Sequence, residues 1–180
     1  MKKLILLGLA TVLIISCQEK GPERWTNTSP DIDVVKAVVK DYEDGNWDSW
    51  ITHYSDDAKV QHNEFKLSPK ELQDILKQDI TNYTEYGFSH QDGEIFYEQI
   101  IDDKGDKWVY FWGTWKAKIK MDDKEYVLPV HLACKMVNGK IVEEYGYYNR
   151  SAIDATFKEQ TMAKEMKLLE EAKQVMKKNN

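Results

Sequence analysis

Apolar residues recur at helical spacing from about residue 29 and change to a period of two near residue 94. Ser29-Pro30-Asp31 places a hydroxyl cap before a proline, whose missing N–H costs nothing in the first turn of a helix. Ile32, Val35, Val38, Val39 and Tyr42 follow on one helical face, and Gly45 ends the segment. Asn46 is the expected cap of a second short helix carrying Trp47, Trp50, Ile51 and Tyr54. Asp56-Asp57 reads as a turn, followed by a short strand over 58–62. Ser68-Pro69-Lys70-Glu71 is a capping box, and Leu72, Ile75, Leu76 and Ile80 give the third helix its apolar stripe.

The second half alternates. A strand over 94–101 precedes the turn cluster Asp102 to Asp106. In 107–121, Val109, Phe111, Gly113, Trp115, Ala117, Ile119 and Met121 share one face. Trp108, Tyr110, Trp112 and Thr114 share the other, continued by Lys116, Lys118 and Lys120. Asp122-Asp123 is a hairpin turn, and 125–137 sets Tyr126, Leu128, Val130, Leu132, Cys134 and Met136 together. Asn138-Gly139 is the strongest hairpin signal in the chain, with 140–148 returning. Asn149 or Ser151 then caps a long helix over 151–178. Helices first, antiparallel strands next and a final helix predict an α+β domain, its helices packed on one face of a curved sheet.

Residues 1–16 stand apart from that pattern. Lys2-Lys3, a run of about twelve apolar residues and Ser16 before Cys17 form a secretory leader too short to span a bilayer. Ile14-Ile15-Ser16-Cys17 resembles the bacterial lipobox, which implies an acylated Cys17 at the mature N-terminus and attachment to membrane lipid in the cell envelope. Residues 17–30 then read as a polar tether. With Cys17 acylated, Cys134 has no disulfide partner, and its strand context predicts a buried, inert thiol.

A chain of 180 residues with 42% hydrophobic and 31% charged residues has enough apolar material for one real core. Cleavage removes two of the 25 basic residues and none of the 31 acidic ones, moving the formal charge from −6 to −8. That acidity argues against nucleic acid as a partner, because duplex binding needs Lys and Arg at the phosphates.

Tyr42-Glu43-Asp44-Gly45-Asn46-Trp47-Asp48, the stretch from His53 to Asn63, and the closing run from Asn138 to Asn149 resemble the nuclear transport factor two-like superfamily. SnoaL-like polyketide cyclases and ketosteroid isomerases belong to it, and the resemblance spans about 31–150. It implies a cone-shaped domain: a bent sheet around the N-terminal helices, a deep pocket at the wide end, and in many members a homodimer through the outer sheet face. Trp108, Tyr110 and Trp112 are open to either role, dimer contact or pocket wall.

Ketosteroid isomerases use a carboxylate base and an oxyanion hole of a Tyr and a protonated Asp. Aligned on Gly45 and Asp56-Asp57-Ala58, His62 falls at the base position and Val38 at the oxyanion tyrosine. The protonated Asp falls near His131 or Leu132. Steroid isomerisation is therefore disfavoured, and what the resemblance leaves is an imidazole, His62, at a position that points into the pocket in relatives. As a general base it would work with His131 or Tyr147 as a second polar group. The alternative is a hydrogen-bonded wall residue in a binding domain.

Trp50, Tyr54, Trp112, Trp115 and Tyr147 together suit an aromatic-lined cavity for a small apolar or ring-shaped ligand. His53 reads as a surface or capping residue and His90 as exposed. The four histidines lack metal-ligand spacing, no phosphate loop is present, and the resembled family's chemistry usually runs without a cofactor. Three functions remain: a lipid-anchored ligand-binding domain, a cofactor-independent cyclase, isomerase or hydratase using His62, and an envelope interaction module.

Overall fold

The computed structural model describes residues 23–121 and 124–178. The leader, Cys17, the first part of the tether and the Asp122-Asp123 turn lie outside the described residues.

The elements run β1 (Trp25–Thr26), α1 (Pro30–Asp44), α2 (Trp47–Trp50), β2 (Tyr54–His62), β3 (Phe65–Leu67), α3 (Pro69–Asp79), β4 (Tyr83–Phe88), β5 (Ile95–Ile101), β6 (Lys107–Ile119), β7 (Glu125–Val137), β8 (Lys140–Tyr148) and α4 (Ser151–Lys178). The described strands form one curved sheet in the order β1-β5-β6-β7-β8-β2-β3. β4 joins β6 beyond the end of β5, so the two share one edge of the longest strand.

Local chemistry sets the helix boundaries. The Ser29 hydroxyl accepts from the Ile32 N–H, Pro30 opens the first turn, and Gly45 closes α1 in the left-handed region at φ 67°. Ser68 and Glu71 form the reciprocal capping box of α3. Asn46 does not cap α2; its amide donates to Asp41 instead. Asn138 and Gly139 both take positive φ, as a two-residue turn matched to strand twist requires.

α1 lies across the concave face, burying Ile32, Val35, Val38 and Val39 against Val109, Phe111, Leu132, Cys134 and Ile141. A second cluster joins Tyr83, Trp115, Ile119 and Tyr126 to Ile153 and Phe157, and so docks the first turns of α4. From Thr161 to Lys177 every α4 side chain is exposed.

Four details differ from the sequence expectation. Asp56-Asp57 does not reverse the chain but lies inside β2, where the register with β8 shifts between Tyr54 and Lys59. The acids that suit a turn suit an irregular strand edge equally well. The β2–β8 pairing is parallel, so the sheet is mixed. β3 and β4 add two strands to the expected set, their three and six residues giving alternation too little length to register in the sequence. The end of the tether is not free: Trp25 and Thr26 pair with Ile100 and Gln99, and the Arg24 side chain donates to the Ile101 carbonyl.

Removing one core branch should cost far more than removing the cap that starts the same helix. Ile32→Ala, at a side chain with no exposure, is expected to lower unfolding free energy by about 2–5 kcal/mol in chemical denaturation. Ser29→Ala is expected to cost about 1 kcal/mol. Equal losses would contradict the packing described for α1.

Candidate functional site

Parity along the strands decides which side chains meet. On β6 the odd positions from Val109 to Ile119 are buried and the even ones face outward. On β7 the even positions Leu132, Cys134 and Met136 point inward. β8 leaves the Asn138-Gly139 turn in simple register, with Met136 opposite Ile141, and then slips by one, so that Lys135 lies opposite Glu143 and Cys134 opposite Glu144. Without that bulge, Glu143, Tyr145 and Tyr147 would face the cone. With it, Glu144, Gly146 and Tyr148 do.

The interior holds a cavity of about 110 Å³, open on one side. Engineered apolar cavities of ~150 Å³ take up benzene, so this space suits a compact ring or a few waters. Val38, Val39, Trp50, Leu72, Phe88 and Leu132 form much of its apolar wall.

At its deep end lies a buried polar network. The Glu144 side chain is 2% exposed and accepts at both oxygens. Tyr54 donates to Oε2 over 2.6 Å, and His62 Nε2 lies 2.7 Å from Oε1. Burial, with the neighbouring Glu144 carboxylate second, pushes the Tyr54 phenol well above its ordinary range, so the hydroxyl keeps its proton and donates. In the neutral ring with its proton on Nε2, toward Glu144, Nδ1 accepts from the Tyr148 hydroxyl 3.1 Å away. Tyr148 also resists ionisation because it is buried. The result is one directed chain: Tyr54 to Glu144, His62 to Glu144, Tyr148 to His62.

The chain depends on a residue without a side chain. His62 pairs with Gly146 across β2 and β8. A Cβ on Gly146 would sit 2.6 Å from His62 Cδ2 and 2.7 Å from Nε2. The imidazole lies flat in that space, and Asn63 fixes the strand end by donating its amide to the Tyr148 carbonyl.

Nearer the opening, Arg150 grips Asp79 with two N–H groups at 2.9 and 3.1 Å and Asp154 with Nε at 3.0 Å. Burial opposes the guanidinium charge, but these bonds outweigh it and hold Arg150 above its ordinary range. Tyr83 adds a third hydrogen bond to Asp79.

His62, Trp50, Tyr54 and Trp115 therefore meet at the cavity. His131, Trp112 and Tyr147 do not: they stand on the convex face, in register with one another. Trp112 and Trp115 are three apart on one strand and cannot share a face, and the β8 bulge carries Tyr147 outward. His131 stacks on Trp112 with ring centres 3.7 Å apart, and burial lowers its basicity. His53 is not a surface residue; its Nε2 lies 2.9 Å from Asp41. Asp41 is held low by hydrogen bonds from Ser49, His53 and Asn46, which outweigh its burial. His90 is exposed and meets Glu43. Cys134 is buried behind Glu144, and burial first, Glu144 second, push its thiol up. Among the described residues no group of three His, Cys, Asp or Glu side chains is arranged to hold a metal ion.

The sequence reading missed Glu144, Tyr148, Asp79 and Arg150. The signal for the first two was the alternation Glu144-Gly146-Tyr148, legible only once the bulge is placed.

No family model matches the chain, and no curated protein does. Solved structures match its fold. A protein of Shewanella putrefaciens assigned to the SnoaL-like polyketide cyclases superposes with a TM-score of 0.55 at 12% identity, over 71% of this chain and 96% of that one. A nuclear transport factor two-like protein of unknown function from Burkholderia pseudomallei gives 0.55 at 10% identity, over 70% and 95%. An LEH-like epoxide hydrolase of Mycobacterium tuberculosis gives 0.50 at 17%, over 69% and 86%. The chain thus has the nuclear transport factor two-like, SnoaL-like fold.

Gly146→Ala is expected to lower stability by roughly 1–3 kcal/mol by driving a methyl into the His62 ring. In a His62→Ala background the same change should cost much less, a coupling of about 1 kcal/mol or more in a double-mutant cycle. Additive losses would contradict the close approach of the ring to the β8 backbone.

Proposed function

We propose that this domain binds a small, uncharged, mainly apolar molecule in the cone, held against the Tyr148 hydroxyl and the His62–Glu144 pair. The observation that carries this reading is that the carboxylates of the lining already have their hydrogen-bond partners within the protein. Glu144 is taken by His62 and Tyr54, and Asp79 by Arg150. An ionic ligand would have to break one of these pairs, at a cost of several kcal/mol for a buried charge left alone. A neutral ring gains from the apolar wall without disturbing them.

A second reading, acid–base catalysis, is favoured by the direction of the hydrogen-bond chain. A substrate proton passes to the Tyr148 oxygen as the Tyr148 hydroxyl proton moves to His62 Nδ1, and Glu144 holds the resulting imidazolium. His62 is then the base and Tyr148 the group that touches substrate. The similarity in fold to an epoxide hydrolase supports such chemistry in a cone of this kind. The isomerase, cyclase or hydratase reading belongs here, with the reaction routed through Tyr148 and without His131.

The anchor is part of the same proposal. Cys17 carries lipid and the domain works at a bacterial membrane surface, in keeping with the lipobox-like sequence. No helix among the described residues is long and apolar enough to cross a membrane.

Two outcomes follow. With the full chain in nanodiscs, p-cresol should shift the His62 ring signals in NMR, whereas 4-methylbenzoate, the same ring with a carboxylate, should not. A preference for the carboxylate would contradict the neutral-ligand reading. In cells, inhibition of the lipoprotein signal peptidase by globomycin should accumulate precursor, as should Cys17→Ala. Unchanged processing in both would contradict the anchor.

A further inference from the structure

Glu144 and Asp79 engage hydroxyls that line the cavity, and the hydroxyls they leave over define what a ligand must offer. Tyr54 donates to Glu144 and Tyr83 to Asp79, so neither has a proton left for a ligand. Two other tyrosines line the same space, Tyr42 and Tyr148.

Tyr42 stands in the last turn of α1, its ring edge-on to Trp47, Tyr86 and Phe88. Its oxygen accepts from the Trp115 indole over 3.0 Å. That bond uses a lone pair and leaves the phenolic proton, for which no described residue supplies an acceptor. Burial, above all, raises the Tyr42 phenol far above its ordinary range, so the proton stays. Tyrosine hydroxyls in such enclosed places normally find a partner.

Tyr148 is the opposite case. Its proton goes to His62 Nδ1, and its oxygen keeps only lone pairs for anything in the cavity. The cavity therefore presents a spare donor at Tyr42 and a spare acceptor at Tyr148. They approach from different flanks. Trp115, which holds Tyr42, lies on β6 opposite Leu128, whereas Tyr148 lies on β8 opposite Val130. Two strand spacings, about 10 Å, separate β6 from β8. Arg150 also keeps N–H groups beyond those on Asp79 and Asp154. Its side chain is 31% exposed, however, and a ligand oxygen there only replaces water.

We infer that the ligand is a neutral ring with a hydrogen-bond donor at one end and an acceptor at the other, the chemistry of a hydroxyaryl aldehyde or ketone. Its hydroxyl donates to Tyr148 and its carbonyl oxygen accepts from Tyr42. The inference rests on the neutral-ligand reading and narrows it. A ring carrying only one of the two groups leaves one tyrosine unsatisfied. A ring turned end for end sets its carbonyl against the Tyr148 lone pairs, so a single orientation is favoured. That orientation places the ligand hydroxyl at the head of the Tyr148–His62–Glu144 chain.

Four rings of matched shape test this with the full chain in nanodiscs at about pH 6, below the ionisation range of a phenol. They are 4-hydroxybenzaldehyde, p-cresol, p-tolualdehyde and p-xylene, with Kd read from the His62 ring shifts. Each added hydrogen bond should tighten binding about fivefold, making 4-hydroxybenzaldehyde the tightest and p-xylene the weakest. Tyr42→Phe should erase the gain from the aldehyde and keep that from the hydroxyl. Tyr148→Phe should do the reverse. The ranking itself needs no variant, so it decides even where a variant fails to fold. Equal affinities, a gain from only one group, or a gain that survives loss of its assigned tyrosine would overturn the inference and leave the neutral-ligand reading standing. No binding by any of the four, p-xylene included, would overturn both.

Discussion

A carboxylate inside an apolar cone stands only if the protein supplies its hydrogen bonds, and Glu144 sets this constraint on the rest of the site. An unpaired charge there would cost several kcal/mol, a large share of the marginal stability of any domain. Tyr54 and His62 satisfy its two oxygens, and each demand propagates outward. Tyr54 must open β2 directly beneath Trp50, whose ring lies 4.6 Å from its own. His62 must end the same strand over a residue with no side chain, which is Gly146. Both donors come from β2 and the acceptor from β8, so the parallel pairing of those strands is what assembles the network. Tyr148, two residues beyond Gly146, then has its hydroxyl at the one imidazole nitrogen left over.

The same alternation that builds the cone builds its reverse side. Each inward residue of β6, β7 and β8 has an outward neighbour, and those neighbours are rings to an unusual degree: Trp108, Tyr110, Trp112, His131, Tyr145 and Tyr147. The fold thus has a wet-facing aromatic sheet and an interior cavity separated by a single layer of backbone. α4 contributes to both. Its first turns close the cone near Arg150 and Ile153, and its remainder leaves the body with an apolar side unspent. Pocket and outer surface are in this way joined through one helix.

Helix starts and stops were legible because they are local. Ser29-Pro30, Gly45, the Ser68 to Glu71 box and Asn138-Gly139 act through neighbours a few residues away, and all took the conformations their chemistry favours. The fold was legible from element order and from the residues resembling the nuclear transport factor two-like superfamily. The site was legible only in part. His62, Trp50, Tyr54 and Trp115 reach the cavity, whereas His131, Trp112 and Tyr147 face away from it. One extra residue on β8 accounts for Tyr147, since a bulge inverts the parity of all that follows and leaves no composition signal in Val142-Glu143-Glu144. Glu144 was hidden for the same reason, standing beside an identical residue that faces solvent. Asp79 and Arg150, 71 residues apart, are joined only by the tertiary fold.

The account rests on the direction of one hydrogen-bond chain, with His62 donating from Nε2 to Glu144 and accepting at Nδ1 from Tyr148. A long-range proton–nitrogen NMR spectrum of the histidine rings in the full chain reads that direction. A fixed, neutral Nε2–H imidazole for His62, with Nδ1 shifted by an accepted hydrogen bond, is the predicted result. An Nδ1–H tautomer, or a ring averaging between tautomers as in free solvent, would contradict it.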